Sequence, residues 1–338
     1  MPKSALITGI GGQDGSLLAE LLLDQHYEVF GIVRDEADRY ENLEPILNRI
    51  ELVPADLLDQ RSLMEALATC EPGEVYNLAA PSFVPMSWQQ PVLTAHFAAV
   101  GATAMLEAIR VARPETRFYQ ASSSEIFGEP LEAPQNEGTP LSPLTPYGVA
   151  KAYAHFIVGS YRKRYGLFTC SGILYNHESP RRPLEFVTRK VAHGVASIAL
   201  GFSDELVLGD LDARRDWGYA NDYVRAMWLM LQQERPDDYV VASGVSHSVR
   251  NLVACAFERV GLEWERHVRV DESLERGPAE LHNLVGDAAK AREQLGWMPT
   301  VDFKTLVGLL VDSDLERLAA EPTGQRPQAS LEGRSRGI

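Results

Sequence analysis

Ser4-Ala5-Leu6-Ile7-Thr8 runs straight into Gly9-Ile10-Gly11-Gly12-Gln13-Asp14-Gly15, and this stretch decides the fold. A short apolar run that ends at a glycine has the pattern of a buried parallel strand. Beyond it Leu17, Leu18, Leu21 and Leu22 recur at helical spacing, and residues 27–33 read as a second strand. Strand, glycine turn, helix and strand within roughly thirty residues form the opening unit of a doubly wound parallel sheet.

The alternation continues outward from that unit. Residues 50–53, 74–78, 117–120 and 169–174 read as strands, and residues 61–70, 100–111 and 145–165 as helices. The expected architecture is α/β, a Rossmann-type doubly wound sheet over residues 1–174, completed by about 213–245. Residues 176–186 hold two prolines and a run of charges and read as a shaped loop. Helices are expected at 188–200, 222–233 and 249–260, with one more strand at 239–243. Residues 175–212 and 246–320 are assigned to a smaller interleaved lobe. The tail 321–338, rich in Gly, Pro, Ser, Gln and Arg, is expected to be disordered.

Composition narrows the function classes. The 338 residues are 45% hydrophobic and 23% charged, as in ordinary globular chains. Lysine and arginine total 32 against 47 acids, a formal charge of −15. Such a chain repels a phosphate backbone, which argues against nucleic acid as a partner. Cys70, Cys170 and Cys255 lie far apart without a CxxC pair, against a disulfide framework or a metal site and in keeping with a reducing compartment. No apolar run reads as long enough to span a membrane, and the N-terminus lacks a secretory pattern. A cytoplasmic protein is expected.

Gly9, Gly12 and Gly15 are spaced GxxGxxG. In a strand–turn–helix unit the first allows the tight turn, the second lets backbone approach a pyrophosphate, and the third packs helix on strand. A helix N-terminus there offers N–H groups and partial positive charge to phosphates. Val33-Arg34 then places an arginine where a dinucleotide's 2′-substituent is read, which favours NADP over NAD. Asp35 and Glu36 follow directly and would repel a phosphate if turned inward; otherwise Arg34 is an ordinary surface arginine.

Tyr147 and Lys151 are four apart in an expected helix and share a face. A neighbouring ammonium favours the phenolate, so the tyrosine pKa is expected to fall below its reference of about 10. Upstream, Ser122-Ser123-Ser124-Glu125 sits at the carboxyl end of a strand, where such sheets place their chemistry. A hydroxyl, a carboxylate, a tyrosine and a lysine meeting there would make an oxidoreductase site.

With Asn77-Leu78-Ala79-Ala80, these motifs resemble the extended short-chain dehydrogenase/reductases that act on nucleotide sugars. Phe83 to Pro91 (FVPMSWQQP), Tyr119 to Gly128 (YQASSSEIFG), Gly172 to Arg182 (GILYNHESPRR), Glu185 to Lys190 (EFVTRK), Arg215 to Gly218 (RDWG) and Tyr223 to Gln233 (YVRAMWLMLQQ) narrow the resemblance. They are similar to the GDP-mannose 4,6-dehydratase family over nearly the whole chain. The resemblance implies a catalytic set of Ser123, Glu125, Tyr147 and Lys151. It implies NADP contacts at Gly9, Gly12, Gln13, Asp14, Gly15, Arg34, Asp56, Leu57, Leu78, Ala79, Ala80, Ser82, His177 and Arg182, besides Tyr147 and Lys151. For the nucleotide sugar it implies Ser82, Ser123, Glu125, Asn176, Lys190, Arg215 and Arg276. It further implies a hydro-lyase acting on GDP-mannose or a close nucleotide sugar, as a homodimer or homotetramer. The alternatives are a reductase, epimerase or decarboxylase of the same superfamily, or a non-catalytic NADP-binding sensor. Four places depart from the family's pattern besides Gly11: Ser123 stands for threonine, Pro81 for glutamine, the segment after Arg34 is short and acidic, and Gly277 separates Arg276 from Pro278.

Overall fold

The structure, a computed structural model, describes residues 3–34, 40–274 and 284–320. Strand β1 (Ser4–Thr8) passes through the glycine turn into α1 (Gln13–Asp24) and β2 (Glu28–Val33), followed by β3 (Glu51–Pro54), α2 (Gln60–Cys70) and β4 (Glu74–Asn77). Helix α3 (Val84–Gln89) precedes α4 (Pro91–Ala95) and α5 (Gly101–Ala112), which a π-helical turn joins into one run. Next come β5 (Arg117–Ser123), α6 (Pro146–Tyr165) and β6 (Thr169–Leu174). The second half holds β7 (Asn176–Glu178), α7 (Val187–Ala199), β8 (Leu206–Leu208), β9 (Arg214–Tyr219), α8 (Ala220–Leu231), β10 (Asp238–Val241) and β11 (Ser246–Ser248). It ends with α9 (Val249–Val260), β12 (Val268–Val270), α10 (Ala289–Leu295) and α11 (Phe303–Ala320).

Strands β3-β2-β1-β4-β5-β6-β10 form one parallel sheet in that order. The order reverses between β1 and β4, and the crevice beyond the strand ends at such a reversal is where doubly wound sheets bind ligands. One face is covered by α1 and α8, whose Leu18, Leu22, Met227 and Met230 are fully buried. The other is covered by α2, α5 and α6. A second core of Val191, Val195, Trp217, Phe257, Leu306 and Leu310 lies among α7, α9 and α11. Two small sheets, β11-β9-β7 and β12-β8, stand beside it.

Local chemistry explains the elements that carry the site. Thr145 caps α6 by accepting the Gly148 N–H at 2.9 Å, Pro146 supplies a pre-set first residue, and Gly166 ends it at φ +69°. Two expectations are corrected. Residues 176–178 are not loop but a strand that pairs with Trp217–Tyr219. The helical run Pro91–Ala112 is long and apolar enough to cross a membrane, contrary to the sequence reading. It lies on the sheet, with Ala102, Met105, Leu106 and Ile109 in the core, so packing accounts for its composition. Arg276 and the tail 321–338 lie outside the described residues.

Candidate active site

A cleft of about 750 Å³ opens beyond the carboxyl ends of β1, β4 and β5 and runs toward the smaller lobe. It begins at the glycine turn. Gly9 sits at φ +69°, a left-handed conformation that a side chain would strain, and a Cβ on Gly15 would stand 2.3 Å from the Gly9 carbonyl oxygen. Gly12 is the N-cap of α1, and no side chain caps that end. This cradle fits a dinucleotide diphosphate, with backbone N–H groups as its donors. Thr8 fastens the cradle to β4: its hydroxyl donates to Asn77 at 2.7 Å and accepts from the Leu78 and Ala79 N–H groups.

The departure at Gly11 has a packing reason. A Cβ there would stand 2.3 Å from Cδ1 of Tyr40, and Asn42 donates to the Gly11 carbonyl at 3.0 Å. The chain after β2 folds back over the turn and leaves no room for a side chain.

The four catalytic candidates converge at the centre of the cleft. Ser123 ends β5, and Glu125 follows in a short turn whose N–H donates to Ser123 Oγ at 3.3 Å. Tyr147 and Lys151, 8% and 4% exposed, project from α6. Tyr147 hydrogen-bonds Ser123, and the Lys151 ammonium lies 5.7 Å from the tyrosine ring centre. Lys151 Nζ also donates to the Ala121 carbonyl at 2.8 Å. The expected fall of the tyrosine pKa is not what this arrangement produces. Burial pushes Tyr147 up to about 12 despite the Ser123 hydrogen bond, and burial pulls Lys151 down to about 8. The helical spacing brings the two together, but desolvation outweighs the Ser123 hydrogen bond and the Arg182 charge that would lower the tyrosine's pKa.

Beyond the centre the cleft is lined by Asn176, Glu178, Arg182, Lys190 and Arg215. The Arg182 guanidinium stacks 3.6 Å from the Phe186 ring centre and lies 3.4 Å from Glu178. The fully buried Arg189–Asp314 ion pair fixes this region, and Arg189 Nε donates to the Arg182 carbonyl at 3.1 Å. Burial lowers the Lys190 pKa. Leu208, Asp210, Ala213, Val249 and Leu274 close the far end. The sequence reading missed these, because they come from short strands and helix starts with no motif of their own.

Of the other expected contacts, Leu78, Ala79, Ala80 and Ser82 line the cleft beside the turn, as do Gln13, Asp14 and His177. Arg34, Asp56 and Leu57 do not. They lie past the ends of β2 and β3; Arg34 is exposed with its guanidinium 6.0 Å from the Phe97 ring centre, and Leu57 is buried beside α5. Asp14 and His177 are engaged with each other at 2.8 Å.

Comparisons with known proteins place the chain in a family. Residues 6–309 match the family model described as GDP-mannose 4,6 dehydratase. The chain is 48% identical over 327 residues to GDP-mannose 4,6 dehydratase 1 of Arabidopsis thaliana, covering 93% of this chain and 90% of that one. It is 44% identical to the GDP-mannose 4,6-dehydratase of Vibrio cholerae, covering 93% and 94%. Among solved structures it is similar to the dTDP-glucose 4,6-dehydratase of Streptomyces venezuelae with NAD and TYD bound. The TM-score is 0.82 at 23% identity, covering 94% and 98% of the two chains, a likeness of fold.

Proposed function

The chain belongs to the GDP-mannose 4,6-dehydratase family, and from that premise we propose that it removes water from GDP-mannose to give GDP-4-keto-6-deoxy-mannose. The observation that carries the reading is the meeting of Ser123, Glu125, Tyr147 and Lys151 between the glycine turn and the Lys190–Arg215 end of one cleft. A bound NADP would rest on the glycine turn and Leu78–Ala80, with Arg34 toward its 2′-phosphate. The cofactor held there would supply reversible hydride chemistry, oxidising the sugar at C4 and reducing it at C6, so that no NADPH would be consumed.

The chain's own residues move the protons. Tyr147 takes the C4 hydroxyl proton, and Ser123, already bonded to the tyrosine, orients that hydroxyl. With its pKa pushed up to about 12, Tyr147 holds its own proton at neutral pH. The proton transfer therefore runs through the minor phenolate form, which the Ser123 hydrogen bond and the Lys151 ammonium 5.7 Å from the ring stabilise. Once C4 is a ketone the C5 proton is acidic, and Glu125 removes it and returns it to the departing C6 hydroxyl as water forms. The proton that Tyr147 took is then delivered to C5, which closes the balance. Lys190 and Arg215 neutralise the sugar nucleotide's diphosphate; the arginine's fork is permanently charged and bidentate.

The protein works as a homo-oligomer in the cytoplasm in this reading. Trp88, Val92 and Phe156 are 57%, 67% and 61% exposed on α3, α4 and α6, an apolar face suited to a second copy. All three cysteines are unpaired, in keeping with a reducing compartment.

The deciding experiment incubates purified protein and NADP with GDP-mannose and follows product mass. Loss of one water without net NADPH change supports the reading. UDP- and dTDP-sugars run in parallel test the nucleotide, and reaction with those instead would overturn the choice of guanosine.

A further inference from the structure

His177 is held between two acceptors. Its Nδ1 lies 2.7 Å from the Tyr175 carbonyl oxygen and its Nε2 lies 2.8 Å from Asp14 Oδ2. A carbonyl only accepts, so Nδ1 carries a proton, and the Nε2 contact then needs a second proton shared with the carboxylate. The ring also stacks on Tyr223, centres 4.6 Å apart at 18°. Further bonds join the same two segments. Gln13 donates to Asp14 Oδ1 and to the His177 carbonyl at 2.9 and 3.1 Å, and accepts from Ser179 at 2.9 Å. Arg181 reaches Ser16 at 3.0 Å and Glu20 at 2.6 Å. The start of α1 is thereby stitched to the segment that enters the smaller lobe.

We infer that His177 is a positioning residue that acts on the cofactor cradle through Asp14, the pair keeping one proton between them. The glycine turn thus presents no net negative charge to a dinucleotide diphosphate. This rests on the reading of that turn as a cofactor site. Asp14 would otherwise be a bare carboxylate in the first turn of α1, competing with phosphate for the helix N-terminus and repelling it. The groups facing the pair are Arg182 from the loop after β7, Tyr119 from β5, Tyr147 and Lys151 from α6, and Tyr223 from α8. Burial disfavours the imidazolium and Arg182 opposes it, but the charge and hydrogen bond of Asp14 prevail and raise the His177 pKa. Asp14 is held down at about 2 despite its own burial. As pH rises through the histidine's pKa the shared proton leaves, the clasp becomes lone pair against carboxylate, and cofactor affinity falls.

Two measurements test this. The first is site-resolved NMR titration of His177 in the cofactor-free protein, which reads the clasp whether or not any dinucleotide binds. A midpoint above 6.5 that drops in Asp14→Asn is expected. A wild-type midpoint at or below 6.5 overturns the inference. The second is the affinity for NADP measured calorimetrically against pH. Affinity should fall roughly tenfold or more across the His177 midpoint. His177→Gln should bind at the weak, high-pH level throughout, and adding Asp14→Asn should restore binding and flatten the profile. Lys151 also titrates near 8, so a fall that persists in the double variant belongs to Lys151 and overturns the role given to His177. A double variant as weak as His177→Gln alone would mean that the ring touches cofactor directly. Failure of every variant and of the wild type to bind NADP or NAD would instead strike at the cofactor reading, with the NMR result standing apart.

Discussion

Lys151 Nζ donates to the carbonyl of Ala121 at 2.8 Å, two residues before Ser123 on the same strand. That carbonyl also accepts from Gln120 Nε2 at 3.0 Å, and Gln120 Oε1 accepts from Asn77, which is bonded to Thr8. One hydrogen-bonded ladder thus crosses β5, β4 and β1 from Lys151 to the residue before the glycine turn. The Asp14 carboxylate attracts the Lys151 ammonium, but burial outweighs the attraction and makes the charge costly to keep.

Lys151 therefore trades stability for function. Its pKa falls from 10.5 to about 8 on folding. Between those values the unfolded chain holds the proton and the fold does not, so stability rises with pH across that interval. At pH 7 both states are charged and the full cost is present. Lys151→Met should abolish turnover yet raise Tm by a few degrees at pH 7, since the relief is on the order of 3 kcal/mol before the lost hydrogen bond is subtracted. A lower Tm in calorimetry would show that the Ala121 bond outweighs the desolvation. Wild-type turnover should decline above pH 8 as the ammonium is lost.

Glu125→Gln should leave folding and NADP binding intact and cut dehydration by about 10²–10⁴-fold, because an amide cannot accept the C5 proton. Deuterium uptake at C5 in heavy water, read by mass spectrometry, should vanish with it. Turnover above a tenth of wild type would remove Glu125 from the base role.

Arg34→Ala should weaken NADP binding by roughly 10–100-fold, the loss of a charge-assisted contact, and leave NAD unchanged. Equal affinity of the unaltered protein for both dinucleotides would show that Arg34 does not read the 2′-phosphate.

Gly11→Thr should cost about 1–3 kcal/mol in urea unfolding, since the new side chain overlaps Tyr40. Removing the ring in Gly11→Thr/Tyr40→Ala should lessen the penalty relative to Tyr40→Ala alone. An additive double variant would show that the clash is relieved elsewhere.

The main sheet was legible because each strand is an apolar run bounded by glycine or polar residues, and β1 and β6 match their expected bounds to the residue. The small sheets were not. Asn176-His177-Glu178 carries no apolar period, and its strand conformation comes from a partner forty residues away in the chain. Helix α11 escaped notice because Asp314 breaks its apolar face and is tolerated there through its ion pairs with Arg189 and Arg317. In the site, the four catalytic candidates were readable because each lies in a local motif. Spacing placed Tyr147 beside Lys151, but burial, which sets their ionisation, depends on elements remote in sequence. The contact of Asp14 with His177 spans 163 residues and has no local signature at all.

The last strand of the main sheet has a consequence for how the chain matures. Until β10 arrives, β6 is an open edge whose six residues, Thr169 to Leu174, are all apolar or small enough to be buried in the finished fold. Until α8 arrives, the leucine stripe of α1 faces water. A nascent chain halted near residue 174 therefore displays both a sticky ribbon and an oily ridge, the combination that invites self-association. Expression of residues 1–174 alone should yield aggregate on size-exclusion chromatography, and extension through 245 should suppress it. The first half of this enzyme waits for the second before it is safe from its own kind.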